Sequence, residues 1–244
     1  MISGTTYIHN AIEHDYCIEQ CIASMADLCD DIVCLECDST DGTADFLQGL
    51  CSRFPQLRVI NTPWLPAPGG TWLSDLSNAA KSYCLNKYRI HIQGDEVLSE
   101  EAARVTRVAA GSMRGVKFRR LNFWLNPQTL TPEKRVCGAH VCRAAPVERL
   151  SLADDESLEW NGRDVETEAP IFHYGFIRKP AALAKKAIRM QDAWIGNHDP
   201  VLDLLTEHGL GVLERNSPLV ECSRYEGPHP ESMRPWLMER GHTI

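Results

Sequence analysis

Tyr88-Arg89-Ile90-His91-Ile92-Gln93-Gly94-Asp95-Glu96-Val97-Leu98 decides the fold. A largely apolar run reaches Ile92 and then stops in a loop carrying two adjacent carboxylates. Earlier in the chain, Asp31-Ile32-Val33-Cys34-Leu35-Glu36-Cys37-Asp38-Ser39-Thr40-Asp41-Gly42-Thr43 has the same form. Each reads as a buried strand that ends in an acidic loop, and the stretch between them carries helical patterns. Two such strands in an open α/β sheet build a ligand crevice along one sheet edge. The reading places 32–35 and 88–92 side by side at the sheet centre. A carboxylate just past a strand end is well placed to hold a divalent metal against a diphosphate.

The flanking sequence extends this pattern. Residues 1–8 read as a first strand. Ile18, Cys21, Ile22, Met25 and Leu28 form the apolar stripe of a helix within 15–29. Thr40 or Asp41 caps a helix reaching about Arg53, with Phe46, Leu47 and Leu50 inward, and 57–60 is a short strand. Pro63, Pro66, Pro68, Gly69 and Gly70 make a loop. Thr71 caps a further helix, and Ser99-Glu100-Glu101 starts another with acids at its positive end. This alternation predicts a mostly parallel sheet with helices on both faces. Beyond Gly111, 115–125 and 135–143 are strand-like, 151–163 is an acidic loop, and 180–194 and 201–208 are helical.

The totals set limits. A chain of 244 residues can bury one large α/β core. A hydrophobic fraction of 43% with 24% charged residues is ordinary for a globular protein. A net charge of −8 argues against a nucleic-acid surface, although Lys117, Arg119, Arg120, Lys134 and Arg135 could form a local basic patch. The 10 cysteines lack paired zinc-site spacing, and Cys34 and Cys37 read as small core hydrophobes. No apolar run approaches the ~20 residues of a membrane span, and no basic-then-apolar leader opens the chain. A cytoplasmic, reducing setting is the resulting expectation.

The loop motifs carry a resemblance. Glu36-Cys37-Asp38-Ser39-Thr40-Asp41-Gly42-Thr43 resembles the D-x-G-S-x-D-G-T loop of family 2 glycosyltransferases with the GT-A fold. Gln93-Gly94-Asp95-Glu96 stands where that family has its D-x-D motif, with Gln93 in place of the first Asp. The opening Ile2-Ser3-Gly4-Thr5-Thr6-Tyr7-Ile8-His9-Asn10-Ala11 resembles the first strand and the Asn that follows it, and Ile171-Phe172-His173-Tyr174-Gly175-Phe176-Ile177-Arg178 resembles an H-Y-G-x-x-R segment. The resemblance implies a single GT-A (Rossmann-like) α/β domain over 1–244. Residues 1–110 would bind a nucleotide sugar, and 111–244 would add the acceptor side. It implies transfer of a sugar from a nucleoside-diphosphate donor, a UDP-sugar being favoured, to an acceptor hydroxyl. The transfer would be metal-assisted and inverting. The acceptor stays open among saccharide, small molecule, protein and modified DNA base.

Roles follow residue by residue. Glu36 can accept hydrogen bonds from a base N–H or ribose hydroxyls, or be a solvated strand-end acid. Thr5, Ser39, Asp41, Gln93, Gly94 and Arg178 are the other candidate donor contacts, and Asp41 could instead cap a helix. Asp95 is the candidate ligand of Mn2+ or Mg2+, with His173 as a second ligand or a packed core histidine. Lys185 and Lys186 could meet a diphosphate or form a solvated helix face. Glu96 is expected to face away. The general base is placed at Asp154 or Asp155, in the acidic cluster of the second half, with Glu96 or Asp164 in reserve. Trp124, Trp160 and Trp194 are stacking candidates. Two other classes stay open: an inactive nucleotide-sugar-binding module, consistent with Gln93, and a sugar-phosphate nucleotidyltransferase. The latter class carries a Gly-rich basic loop after the first strand, where this chain has Thr6-Tyr7-Ile8-His9-Asn10-Ala11.

Overall fold

The computed structural model describes residues 1–66, 72–131, 140–152, 156–193 and 222–243, with 187–193 described as backbone. The elements run β1 (Ser3–Ile8), α1 (Ile18–Ala26), β2 (Asp31–Glu36), α2 (Thr43–Leu50), β3 (Leu57–Asn61), α3 (Trp72–Lys81), β4 (Tyr88–His91), β5 (Glu96–Leu98) and α4 (Glu100–Gly111). Then follow β6 (Val116–Trp124), β7 (Asn126–Leu130), β8 (His140–Pro146), β9 (Val165–Phe176), α5 (Pro180–Ala193), β10 (Ser223–Arg224) and, after a 3-10 turn, α6 (Arg234–Glu239).

Strands β3, β2, β1 and β4 form a parallel core. The sheet continues antiparallel through β8, β6, β7 and β10, and β9 runs parallel to β6 while pairing antiparallel with β5. The mixed α/β class expected from the sequence is the observed one. One placement differs. The strands of the two acidic loops are not side by side, because β1 lies between them, bonded to β2 along one edge and to β4 along the other. The chain steps outward from β1 to β2 and β3, then returns to the opposite side. In open α/β sheets ligands bind at such a topological switch, outside the carboxyl ends of the strands.

Burial explains the layers. All six residues of β2 are buried, as a strand covered on both faces requires. Ile32 and Cys34 join Ile18, Cys21, Ile22 and Met25 of α1, Leu47 and Leu50 of α2 and Ala102 of α4 in one core. Val33, Leu35 and Cys37 join Trp72, Leu73, Leu76 and Ala80 of α3 in another. Cys34 and Cys37 thus sit in opposite cores, the consequence of an odd spacing along extended chain. Phe46, expected inward, lies on the outer side of α2 at 37% exposure. A third core joins β5, β6 and β9 to the C-terminal segment through Phe123, Phe172, Tyr174, Met233, Trp236 and Leu237.

The described residues of the expected basic patch are paired or buried. Lys117 and Arg119 on β6 face Glu166 and Glu168 on β9, Arg120 is buried, and Lys134 and Arg135 lie outside the described residues. Among the described residues, no helix is long and apolar enough to cross a membrane.

Candidate functional site

The first loop is built at the ends of β1 and β2. Glu36, the last residue of β2, is buried, and its Oε1 accepts the Ser39 N–H at 2.8 Å. Ser39 Oγ accepts the Asn10 N–H at 2.9 Å, and Asn10 Oδ1 accepts the Thr40 N–H at 2.8 Å. Asp41 bridges the loops, accepting the Glu13 N–H at 2.7 Å and both the amide and hydroxyl of Thr43 at 3.0 and 2.6 Å. Burial opposes its ionisation, but these donors hold its carboxyl below the usual range. Ser39 and Asp41 therefore staple the loop after β2 to the loop after β1.

Two aromatic groups at this end escaped the sequence reading. His9, just past β1, stacks on Trp64, with ring centroids 4.4 Å apart and planes 8° apart. His9 Nδ1 lies 2.5 Å from the Cys37 carbonyl, and the Trp64 N–H donates to Asp38 at 3.0 Å. An aromatic residue directly after the first strand was the available signal.

The second loop centres on Asp95, which is 4% exposed. Arg178 Nη2 donates to its Oδ2 at 2.5 Å and Lys186 Nζ to the same oxygen at 2.9 Å. His173 Nε2 lies 3.5 Å from Oδ1. Burial works against the charge, yet Lys186, His173 and Arg178 keep this carboxyl well below the usual carboxylate range. Burial, and then the nearby Arg120, push His173 down to about 4, so its imidazole is neutral at pH 7. The loop packs too closely for side chains at its glycines. A Cβ on Gly175 would lie 2.6 Å from the His173 ring and 3.2 Å from Asp95 Oδ2, and one on Gly94 would lie 2.8 Å from Ile8.

Several sequence assignments are corrected by these surroundings. Arg178 turns inward, also donating to the carbonyls of Gly175 and His14 and covering the Tyr16 ring at 3.9 Å. It holds Asp95 in place rather than reaching outward. Thr5 lies within β1, below its carboxyl end, and is fully buried, with its hydroxyl 3.0 Å from His91 Nδ1. Glu96 does not face away. It is fully buried, with Oε1 2.8 Å from both Arg120 and Arg143 and Oε2 accepting the Gln93 N–H at 2.9 Å. Asp164 accepts from the amides of Gly115 and Asn161 and pairs with Arg149. Each of these acids is an ion-pair anchor.

Gln93 belongs to a network that the sequence reading did not contain. Its side chain donates to Glu156 at 2.8 Å and accepts from Arg120. Glu156 is 1% exposed, has φ 60°, and its second oxygen lies 2.8 Å from His91 Nε2. Burial lowers the His91 pKa, which fits a neutral ring donating from Nε2 and accepting from Thr5 at Nδ1. Asp154 and Asp155 lie outside the described residues; Glu156, the next residue, is thereby fixed beside Gln93. Trp160 is 42% exposed beside Lys117, Trp124 packs on Phe176, and Trp194 lies outside the described residues.

The expected metal pair is tested by these neighbours. Among the described residues, no group of three or more His, Cys, Asp or Glu side chains could hold a metal ion. Asp95 Oδ2 already faces two cations, and Glu96 faces two more. An incoming divalent ion would find Asp95 Oδ1 and His173, with Lys186 and Arg178 repelling it. The described residues around Asp95 do not fit a divalent metal.

No family model matches the chain, and no curated protein does. Solved structures match by fold. The chain is similar to S. aureus TarS 1–349 in complex with UDP-GlcNAc, at 11% identity over 98% of this chain and 79% of that one, with a TM-score of 0.50. In two further matches to TarS, at TM-score 0.40, it spans 38% and 23% of those chains. The mannosyltransferase PcManGT from Pyrobaculum calidifontis, in complex with GDP-Man and Mn2+, matches at 12% identity over 98% of this chain and 84% of that one, TM-score 0.46. A 4-diphosphocytidyl-2C-methyl-D-erythritol synthase from Anaerococcus prevotii matches at 12% identity over 80% and 94%, TM-score 0.46. The likeness defines the fold as GT-A-like and Rossmann-type.

Proposed function

We propose that this chain is a glycosyltransferase that moves a sugar from a nucleoside-diphosphate donor, a UDP-sugar by preference, to an acceptor hydroxyl. The observation that supports it is the placement of the Glu36 and Asp95 loops at the carboxyl ends of β2 and β4, on either side of β1, where the strand order reverses. In this reading the nucleoside lies against Glu36 and the His9–Trp64 stack. The diphosphate lies towards the Asp95 cluster, and the half from residue 111 onward supplies the acceptor side. The acceptor oxygen attacks the anomeric carbon as the bond to the β-phosphate oxygen breaks, with inversion. Its proton passes to Asp154 or Asp155, the base candidates of the acidic cluster.

A donor screen tests this. The protein is mixed with each common nucleotide sugar, with Mn2+ or with EDTA, and free nucleoside diphosphate is measured. Release from one donor is the expected result. Binding without release or transfer would favour the inactive-module alternative.

Glu36→Ala should weaken nucleotide affinity by about 1–3 kcal/mol, the scale of a lost charged hydrogen bond. Calorimetry showing native affinity would remove Glu36 from the pocket. Asp154→Asn and Asp155→Asn keep shape and remove proton acceptance. The variant at the true base should lose about a hundredfold in turnover with donor affinity retained. Native turnover in both would move the base elsewhere.

A further inference from the structure

We infer that Lys186, seated by Asp95 and Arg178, supplies the positive charge facing the donor diphosphate, and that donor binding is independent of divalent metal. The inference rests on the nucleotide-sugar reading above. Asp95 and Glu96 are two carboxylates, and Arg178, Lys186, Arg120 and Arg143 are four cations in contact with them. Among the described residues, a further nearby carboxylate, Glu156, is turned to His91 and Gln93. Among the described residues the loop is therefore cationic where a metal-binding loop would be anionic. Such a place attracts a phosphate oxygen and repels a divalent ion.

The cations are not equivalent. Arg120, Arg143 and Arg178 side chains are 3%, 0% and 0% exposed, so they are walled in. The Lys186 side chain is 20% exposed and reaches the loop from α5. It also lies 5.0 Å from the Tyr16 ring centroid, sharing that ring with Arg178. An ammonium has three rotatable donors, so Lys186 can keep its bond to Asp95 and still donate to a phosphate oxygen. Gln93, where a metal-binding motif would have a carboxylate, is committed to Glu156 and Arg120 and offers no anionic ligand.

Calorimetry with UDP and GDP as probes tests the inference. Each is titrated into the full chain in EDTA and again in excess Mn2+. The expected result is binding of one of them in EDTA, with affinity within about threefold of that in Mn2+. Lys186→Met keeps the aliphatic stem and removes the charge. It should lose about tenfold or more in EDTA, the effect of one charge-assisted hydrogen bond. Lys186→Arg should recover most of that loss, and thermal melts of both variants check folding. Binding that appears only with Mn2+ overturns the inference and leaves the nucleotide reading intact. Native affinity of Lys186→Met in EDTA also overturns it. No binding of either probe in either buffer overturns the nucleotide reading, and the inference with it.

Discussion

Asp95→Ala is expected to lower turnover by about 10²–10³-fold, the range for removing a preorganised electrostatic element from a reaction centre. The carboxylate is the common partner of Arg178 and Lys186, and it faces His173 across 3.5 Å. Without it, Lys186 loses the anchor that aims its ammonium, and the walled-in Arg178 loses its counter-charge. A buried charge left unpaired costs about 3–5 kcal/mol, so the melting temperature should fall as well. Asp95→Asn keeps the shape and an acceptor oxygen, and should fall between the two. Steady-state kinetics and denaturant titration on the same preparations separate the effects. Native turnover in a normally folded Asp95→Ala protein would remove the second loop from the chemistry.

The second large effect concerns stability. Glu96→Gln leaves Arg120 and Arg143 facing a neutral amide in a site with no solvent access, and should cost about 3–5 kcal/mol. The wild-type carboxyl also sets an acid limit. Burial opposes its charge, but Arg143 and Arg120 prevail and bring it to about 2, against an ordinary value of 4.5. Between those values the unfolded chain binds a proton that the folded one does not. The contribution is fully present above pH 4.5 and is lost as pH falls towards 2, on the order of 3 kcal/mol. Denaturation midpoints followed from pH 6 to pH 3 should drop steeply in the wild type and less steeply in Glu96→Gln. Equal slopes would show that this ion pair does not govern acid unfolding.

The residues that were legible in the sequence are those whose roles follow from local pattern. Apolar runs ending in acidic loops marked β2 and β4, and the spacing of Ile18, Cys21, Ile22 and Met25 marked α1. The position of Asp95 just past β4 was legible for the same reason. Glu96 was misread because it opens the short buried strand β5 and its arginines come from β6 and β8. His9 and Trp64 were missed because their stacking joins segments separated by two strands and two helices.

Chain order and hydrophobic period alone determined an α/β sheet with acidic loops at strand ends, since buried strands and amphipathic helices announce themselves within a few residues. Tertiary structure decided that β1 separates the two loop-bearing strands, because strand order depends on which side of the sheet each crossover returns to. It also decided the character of the second loop. The cations around Asp95 and Glu96 come from β6, β8, β9's exit and α5, and only folding brings their charges within a few ångströms. Coulomb energy depends on that separation and on burial, and neither is written in the local sequence around Asp95.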